Sequence, residues 1–420
     1  MERKITNELL KWKRDSINKP FFLYGARQVG KTYSVLEFGE KYYRNIVYFN
    51  AYNNLDLEDI LKKEKSLDRA IMKLEILSGE KIYKDETLIV FDNCYDVNII
   101  KGLKIFGSEN DYHVVIISAD RLMVNKAHFE EFYYKQMTTM DFEEYLRNSD
   151  KVQLIDFIKE SYDTDKPMPF HQMALDIYFD YLMCGGFPEV VNAKLNGDSE
   201  LKIESLKQKI IAMYRSECIT DENSPMRGIE IIDSMPWQLL KGNKKFQYGL
   251  IKKGARSKDY DPCINILVAN LILNRSFRLT DIKSPLSSVR DTESFKLYFN
   301  DVGLLYNMLH LNKSKLLTND DIRRSLVEND VANTLINYGY NLYYYQSDGK
   351  SEVNFIVQNR IGKIIPIEVI DMKLVKAKAL TVFLTKYGLN DAIRVTEDNF
   401  AKKKGIKCVP LYATFCLKDL

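Results

Sequence analysis

Roughly the first 150 residues alternate short apolar runs, rich in β-branched and aromatic residues, with longer polar segments of helical periodicity. This alternation is typical of a parallel sheet whose faces are covered by helices. Short apolar runs without polar interruptions also indicate strands that are buried on both faces. The predicted strands are Phe21–Tyr24, Asn45–Phe49, Thr87–Phe91, His113–Ser118 and a weaker fifth around Tyr134–Thr138.

From Met140 the pattern becomes helical. The segment MDFEEYLRN predicts a helix with Phe142, Tyr145 and Leu146 on one face and its acids on the other. Residues 171–288 are also mostly helical, with interruptions at GGFPE and in a basic segment. This region is interpreted as a helical lid followed by a winged-helix-like unit.

The last part of the chain changes character again. A helix that carries Val327 to Tyr338 is followed by three strand-like runs, NLYYYQ, SEVNFIVQ and KIIPIEVI. A helix on a small sheet predicts a separate α/β domain. We therefore predict three parts: an α/β domain at 1–165, a helical lid with a winged-helix-like region at 166–292, and a second α/β domain at 293–420.

Charge and composition narrow the function classes. Lys and Arg number 61 and Asp and Glu number 58, a net charge of +3, so bulk charge does not indicate a nucleic-acid or membrane partner. The six cysteines have no ligand spacing and there are only four histidines, so no zinc framework is predicted. Charges interrupt the first apolar stretches, and no apolar run reaches about 18 residues. We expect a cytoplasmic protein without a membrane partner.

The segment GARQVGKT satisfies GxxxxGK[ST] and directly follows the predicted strand FFLY. In that context the glycines let backbone N–H groups point inward, and the next helix presents its positive end to phosphates. Lys31 is predicted to reach the β- and γ-phosphates, and the Thr32 hydroxyl to bind Mg²⁺. The alternative is a glycine-rich turn that binds nothing. The expected nucleotide contacts are Gly25, Arg27, Gln28, Val29, Gly30, Lys31, Thr32 and Tyr33.

A second metal ligand is predicted at the end of the strand TLIVF. Asp92 stands there and, with Thr32, is expected to hold Mg²⁺. Many ATPases have Glu after this Asp, but this chain has Asn93, which can orient a water molecule and cannot take its proton. General-base assistance is worth roughly 10²–10⁴-fold, so we expect slow hydrolysis unless a carboxylate such as Asp96 substitutes. Lys31, Asp92 and Asn93 are the predicted catalytic residues.

The neighbouring strand HVVIIS ends at Ser118, and Asp120 follows closely. Either side chain could contact the γ-phosphate or the attacking water, although Ser and Asp also begin helices as caps. We include Ser118 among the expected nucleotide contacts. The sequence does not rank the candidates for an arginine finger, which are Arg27, Arg121, Arg215 and Arg256.

Taken together, these motifs identify a resemblance over nearly the whole chain. The chain is similar to bacterial and archaeal AAA-type ATP-binding proteins that end in a domain of unknown function with a restriction-endonuclease-like core. The resemblance implies an ASCE-type sheet, a lid, a winged-helix region and a nuclease-like end domain, with ATP as the usual nucleotide. The matching stretches are GARQVGKT, VFDN, VVIISAD, MTTMDFEEYL, YLMCGGFPEVV, IDSMPWQLLKGNKKFQYGLIKKGARSKDY, FKLYFNDVGLL, EVNFIV and IIPIEV.

The end domain departs from the PD-(D/E)xK nuclease pattern that this resemblance implies. Glu328 stands on the helix, but Asn354 replaces the strand Asp, and Ile370 replaces the lysine that should follow Glu368. Asn is a poor ligand for a hard cation, and isoleucine can do no proton or charge chemistry. We therefore predict no nuclease activity. Two lysines could reach back to the missing position: Lys373 and Lys376. The remaining acids are interpreted as surface or turn residues of a retained scaffold: Glu328, Glu352 and Glu368.

Residues 241–258 form a basic segment without acids. It could contact a DNA backbone from a winged helix, or it could be a solvated helical face or a turn. Three functions follow: an ATP-binding switch or slow ATPase, a DNA-binding or DNA-processing protein, and an antitoxin-type interaction scaffold with a protein partner. No motif excludes GTP in place of ATP.

Overall fold

The structure is a computed structural model, which describes residues 1–15, 19–107, 111–119, 130–218, 226–242, 244–347, 352–370 and 378–420. It contains two compact units. One is Met1–Thr138 with Ala269–Leu271, and the other is Thr139–Val268 with Ile272–Leu420. The three-part division at 165 and 292 stays a prediction. Four of the residues considered above lie outside the described residues: Asp120, Arg121, Lys373 and Lys376.

Strands and helices alternate in the first unit. Its strands are β1 Phe21–Tyr24, β2 Asn45–Asn50, β3 Thr87–Asp92, β4 His113–Ser118 and β5 Tyr133–Gln136. Its helices are α1 Lys4–Arg14, α2 Lys31–Tyr42, α3 Leu55–Lys63, α4 Leu67–Ser78 and α5 Val97–Gly102. β1 and β4 have the predicted bounds, whereas β2 and β3 each continue one residue further.

The first sheet has the order β2-β3-β4-β1-β5, and all neighbouring strands are parallel. All six residues of β3 are buried, as expected for an inner strand with helices over both faces. β4 lies between β1 and β3, and the carboxyl ends of all five strands share one edge. In open parallel sheets this edge is where ligands bind. The fold is α/β with a parallel sheet, consistent with a P-loop NTPase.

The second unit contains most of the remaining helices and a larger sheet. The helices are α6 Phe142–Arg147, α7 Leu154–Thr164, α8 His171–Cys184, α9 Pro188–Leu195, α10 Glu200–Glu217, α11 Met226–Leu240, α12 Ser257–Ala269, α13 Val302–Met308, α14 Lys313–Thr318, α15 Asp320–Asn337 and α16 Lys378–Tyr387. Segments of 3₁₀ helix lie at Tyr248–Leu250, Leu286–Val289 and Leu411–Asp419 in this unit, and at Leu103–Phe106 in the first unit.

The second sheet has the order β12-β13-β11-β10-β9-β8-β6-β7 and mixes parallel and antiparallel pairs. Its strands are β6 Leu273–Leu279, β7 Arg290–Phe299, β8 Tyr343–Gln346, β9 Glu352–Gln358, β10 Ile364–Val369, β11 Ala392–Thr396, β12 Ala401–Lys403 and β13 Ile406–Pro410. Helix α15 packs against β6, β7 and β10. The three predicted strand-like runs correspond to β8, β9 and β10, and β7 crosses the predicted limit at 292.

Helix α6 corrects one expectation. Its apolar residues are buried as predicted, but Glu143 and Glu144 are buried as well. Glu143 Oε1 accepts hydrogen bonds from Arg147 Nη2 at 2.8 Å and from Lys159 Nζ at 2.7 Å. Ion pairing of this kind makes burial of a carboxylate possible, and helical periodicity does not reveal it.

Within the described part of the chain, every helix is too short or too polar to cross a lipid bilayer.

Candidate nucleotide-binding site

The backbone of the loop between β1 and α2 has a conformation that only a few types of residue adopt easily. Gln28 has φ 63° and Gly30 has φ 94°, both in the left-handed region. Gly30 caps the amino terminus of α2, and its missing Cβ permits this conformation. The first N–H groups of a helix have no acceptor within that helix, so they are available to an anion.

A glycine is needed at position 25 for a different reason, because the backbone of Met137 passes close to it. Its N–H donates to the Ser118 carbonyl at 3.2 Å, which ties the loop to the end of β4. A Cβ on Gly25 would lie 2.0 Å from the carbonyl oxygen of Met137. Because that neighbour is backbone, it cannot move aside as a flexible side chain can.

Replacing Gly25 with alanine is therefore expected to lower the free energy of unfolding by about 1–3 kcal/mol, as overpacking does elsewhere. Urea unfolding followed by circular dichroism measures the change. Gly249→Ala is the matched control, since its Cβ meets open space at ordinary backbone angles. Equal unfolding midpoints for the two variants would contradict the expected clash.

The Lys31 side chain folds back against the loop. It is 8% exposed, and its Nζ donates to the carbonyl oxygens of Gly25 and Ala26, each at 2.8 Å. The ammonium group is thereby held beside the loop main chain. A compact cation at this position complements the phosphates of a nucleotide.

Thr32 and Asp92 meet at the carboxyl edge of the sheet. Thr32 Oγ1 donates to Asp92 Oδ2 at 2.6 Å, and Tyr48 Oη donates to the same oxygen at 3.0 Å. Asp92 is 5% exposed, and burial together with the Asp92 carboxylate raises the pKa of Tyr48 to about 12. A hydroxyl and a carboxylate are the protein ligands that Mg²⁺ takes in P-loop proteins, so these residues fit that ion. Among the described residues no group of three or more His, Cys, Asp or Glu is placed to hold a metal.

Asn93 has a structural role in addition to its predicted chemical one. Its φ is 56°, and Asn is among the residues that tolerate this region best. Its N–H donates to Asp92 Oδ1 at 2.7 Å, and its Nδ2 donates to Asn50 Oδ1 at 3.2 Å. Asp96, the candidate substitute base, caps α5 by accepting from the Asn98 N–H at 2.7 Å.

The other predicted contacts are spread over the loop and the sheet edge. Ser118 is buried at the end of β4, and Val29 is fully buried. The Arg27 guanidinium lies 5.7 Å from the centre of the Tyr95 ring, while Tyr33 is 61% exposed. The assignment of an arginine finger stays open. In the second unit, Arg215 is paired with Asp233 at 2.5 Å.

Sequence reasoning missed two residues of this site. Tyr48 lies in β2, close to the strand end, and contacts the predicted metal ligand. The rule that functional side chains gather at carboxyl strand ends could have found it. Arg3 is buried beside the phosphate loop and donates to the Val29 carbonyl at 2.6 Å. No motif marks it, because the contact joins residues far apart in the chain.

The three acidic residues that the resemblance to nucleases points to, Glu328, Glu352 and Glu368, lie in the second unit. Glu328, on helix α15, is buried. Glu328 is 1% exposed, and its Oε2 accepts from Lys244 Nζ at 2.6 Å and from Asn354 Nδ2 at 3.0 Å. Its Oε1 accepts from Tyr298 Oη at 2.7 Å and from Lys296 Nζ at 3.3 Å. The interpretation of Glu328 as a surface or turn residue is therefore wrong.

The remaining two acids also have cationic partners. Glu352 on β9 is partly exposed and pairs with Lys296. Glu368 on β10 is buried and accepts from Arg394 Nε at 3.2 Å and Nη2 at 3.0 Å. Burial raises the pKa of Glu368, and Arg394 opposes this only in part. Glu368 is thus not a surface residue either.

The pairing of Glu328 also corrects the interpretation of the basic segment 241–258. Lys244 is buried, so it is neither a solvated residue nor a contact to a DNA backbone. Burial would raise the pKa of Glu328, but Lys244 and Lys296 outweigh it and hold this pKa below its usual range. Burial lowers the pKa of Lys244, whereas Glu328 and Glu352 overcome burial and raise the pKa of Lys296.

Comparison with protein families divides the chain into three matches. Residues 17–146 match the model of an AAA domain. Residues 175–315 and 324–414 match two domains of unknown function, DUF8612 and DUF4143. No curated protein matches the chain. The AAA match, the parallel sheet and the loop geometry support an AAA-type P-loop ATPase domain in the first unit.

Solved structures give more distant likenesses. A Walker-type ATPase of Pyrococcus abyssi is 13% identical, with 74% of this chain and 96% of that chain covered and a TM-score of 0.43. A signal transduction ATPase with numerous domains and a tetratricopeptide repeat sensor, from Pyrococcus horikoshii, is 13% identical, with 80% and 46% covered and a TM-score of 0.29. Drosophila ORC bound to DNA is 14% identical, with 70% and 91% covered and a TM-score of 0.25.

Proposed function

We propose that this protein binds ATP with Mg²⁺ on its phosphate loop and acts as a slow ATPase or a nucleotide-dependent switch. One observation carries the proposal. The Thr32 hydroxyl and the Asp92 carboxylate, which are distant in sequence, meet at 2.6 Å directly beside the loop that holds Lys31. A glycine-rich turn without a ligand would not need a buried lysine and a buried aspartate at the same edge of the sheet.

Different residues of the site bind the phosphates and the metal ion. The backbone N–H groups at the start of α2 and the Lys31 ammonium bind the phosphates, and Thr32 and Asp92 hold the metal ion. Mg²⁺ supplies charge neutralisation of the phosphates when bound. Tyr48 fixes the Asp92 carboxylate by donating to Oδ2, and Ser118 stands at the end of the neighbouring strand.

Two contacts favour slow turnover. The Asn93 amide donates to Asn50 and has no basic group. The Asp96 carboxylate accepts the Asn98 N–H at the start of α5, so it is engaged as a helix cap. Without a general base, the rate falls by roughly 10²–10⁴-fold relative to an ATPase with Glu after the strand Asp.

The carboxy-terminal part is proposed to be a nuclease-like domain without nuclease activity. Glu328 and Glu368 are paired with lysine and arginine side chains of the chain itself. The Asn354 amide donates to Glu328 and accepts the Val369 N–H at 2.9 Å. These contacts use the oxygen atoms that a metal-dependent nuclease would need for its cation.

The test of the proposed function is binding of ATP and GTP with Mg²⁺ by titration calorimetry, followed by a time course of phosphate release. Lys31→Ala is expected to weaken ATP binding by about a hundredfold, since a charge-assisted contact to phosphate is lost. The phosphate-release assay should show slow hydrolysis in the wild type.

Lys41→Ala, an exposed lysine of the same helix, is the matched control and should bind ATP as the wild type does. Unchanged affinity in Lys31→Ala would overturn the proposed site.

A further inference from the structure

The residue before helix α1 contacts the phosphate loop. Arg3 is 5% exposed. Its Nη1 donates to the carbonyl oxygen of Val29 at 2.6 Å, and its Nη2 donates to that of Thr138 at 2.7 Å. One planar side chain therefore joins the loop to the segment that follows β5, through two main-chain acceptors.

The contact to Val29 orients the peptide that follows it. The bond between Val29 and Gly30 is trans, so its C=O and N–H point in opposite directions. A guanidinium that fixes the Val29 carbonyl on one side also fixes the Gly30 N–H on the other side. Gly30 has φ 94° and no Cβ, so its own side chain does not restrain the peptide plane. Arg3 supplies that restraint.

Helix α1 does not need Arg3 in order to pack. Its apolar residues Ile5, Leu9 and Trp12 are buried, and Trp12 Nε1 donates to the Lys19 carbonyl at 2.8 Å. Burial of a guanidinium costs free energy unless hydrogen bonds or an opposite charge compensate for it. The two main-chain acceptors of Arg3 named above lie in the phosphate loop and in the segment after β5, not in α1.

We propose that Arg3 is a positioning residue of the phosphate loop. It holds the Val29–Gly30 peptide in the orientation that recognises phosphate. This inference rests on the proposed nucleotide site and assigns its geometry in part to the first residues of the chain.

The experiment compares ATP affinity in the presence of Mg²⁺ for the wild-type chain and for Arg3→Met. Loss of a charge-assisted hydrogen bond to the loop is expected to weaken binding about ten- to a hundredfold. Arg3→Lys keeps the charge and an N–H donor group without the planar fork that reaches two carbonyl oxygens, so a smaller loss of about three- to tenfold is expected. All titrations are made at a temperature where circular dichroism shows each nucleotide-free variant to be folded, because a merely structural role would leave ATP affinity unchanged there.

Arg14→Met is the matched control, since this arginine at the end of α1 is exposed and pairs with Asp15. If Arg3→Met folds and binds ATP with wild-type affinity, the proposed role of Arg3 is wrong. Weakened ATP binding by Lys31→Ala would in that case still support the nucleotide site itself. If Arg3→Met does not fold, Arg3→Lys decides: weakened binding supports the role, and wild-type affinity overturns it. A wild type that binds no ATP defeats the proposed function and this inference together.

Discussion

Replacing Glu328 with glutamine is expected to lower the free energy of unfolding of the second unit by about 3–5 kcal/mol. The substitution keeps the size of the side chain and removes its charge. The Lys244 and Lys296 side chains, 5% and 0% exposed, would then share only Glu352 as a counter-ion. Removing one partner from a buried ion pair leaves a charge that water cannot reach, and this is among the largest effects of single substitutions.

The size of the effect follows from the balance of charge in this cluster. Two lysines and two glutamates, Lys244, Lys296, Glu328 and Glu352, form a neutral group in the interior. Tyr298 donates a further hydrogen bond to Glu328 and adds no charge. Each single substitution therefore leaves one excess charge. Of the two glutamates, Glu328 is the more sensitive position because both lysines contact it and it is buried, whereas Glu352 contacts Lys296 and is partly exposed.

Urea unfolding followed by circular dichroism measures the effect, and hydrogen exchange of helix α15 assigns it to the second unit. Glu352→Gln is the matched control, with an expected loss of about 1 kcal/mol or less, because its side chain is 20% exposed. The double variant Glu328→Gln with Lys296→Met restores neutrality and should recover part of the lost stability. Equal losses in Glu328→Gln and Glu352→Gln would contradict the charge-balance argument.

The same variants distinguish an internal ion cluster from a metal site. If Glu328 bound a divalent cation, chelation would destabilise α15 in the wild type and have no effect in Glu328→Gln. With Lys244 and Lys296 as its counter-ions, we expect the protection of α15 from exchange to be equal in Mg²⁺ and in a chelator.

The phosphate loop and Asp92 could be predicted from the sequence for a simple reason. The loop residues are contiguous, and a parallel sheet brings the carboxyl ends of its strands to one edge, so the position of Asp92 after TLIVF was sufficient. The inner strands β1, β3 and β4 are almost entirely buried and therefore appear as uninterrupted apolar runs. The edge strand β2 alternates buried and exposed residues, so the expectation that it is buried on both faces is wrong. Local patterns and one topological rule were enough for this part of the molecule.

The buried charges could not be predicted in this way. Lys244 lies in a segment whose many cations suggest a solvated or DNA-binding surface, but its partner Glu328 is 84 residues away. Arg3 and Val29 are 26 residues apart and belong to different elements. Long-range pairing decides whether a charged residue is inside or outside, and periodicity carries no information about such pairs. The burial of Glu143 has this cause only in part: Arg147 lies one turn away on the same helix, whereas Lys159 belongs to the next helix, α7.

Asp330, one of the buried carboxyl groups of the second unit, is expected to lower the stability of that unit as the pH rises from about 4 to about 7. Asp330 on α15 is buried, and burial, with the carboxylates of Asp141 and Asp301 nearby, raises its pKa from 3.8 to about 7, although Tyr178 and Tyr181 oppose this. Below the pKa of the unfolded state, Asp330 is protonated in both the folded and the unfolded protein and does not change the free energy of unfolding. Above that pKa, Asp330 loses its proton in the unfolded protein while it stays protonated in the folded protein. The free energy of unfolding therefore decreases with rising pH until the pKa of the folded state is passed.

The hydrogen bonds around Asp330 are consistent with its neutral form. Tyr178 Oη donates to Asp330 Oδ2 at 2.7 Å. Tyr181 Oη lies 3.3 Å from Asp330 Oδ1 and 3.0 Å from the Met140 carbonyl, to which it can donate its single hydrogen. A proton on Oδ1 can then be donated to Tyr181 Oη. The neutral acid thus satisfies the whole group, whereas the carboxylate competes with Met140 for one hydrogen.

Asp330→Asn removes this titration while keeping the shape of the side chain. A pKa raised from 3.8 to about 7 corresponds to up to about 4 kcal/mol at pH 8. The stability of Asp330→Asn relative to the wild type should therefore increase by about 2–3 kcal/mol between pH 5 and pH 8. Urea unfolding at a series of pH values measures it, and Asp176→Asn, an exposed aspartate of α8, should show no such trend. A difference between Asp330→Asn and the wild type that stays constant from pH 5 to pH 8 would mean that Asp330 is ionised in the folded protein throughout, and that a cation or further donors compensate it.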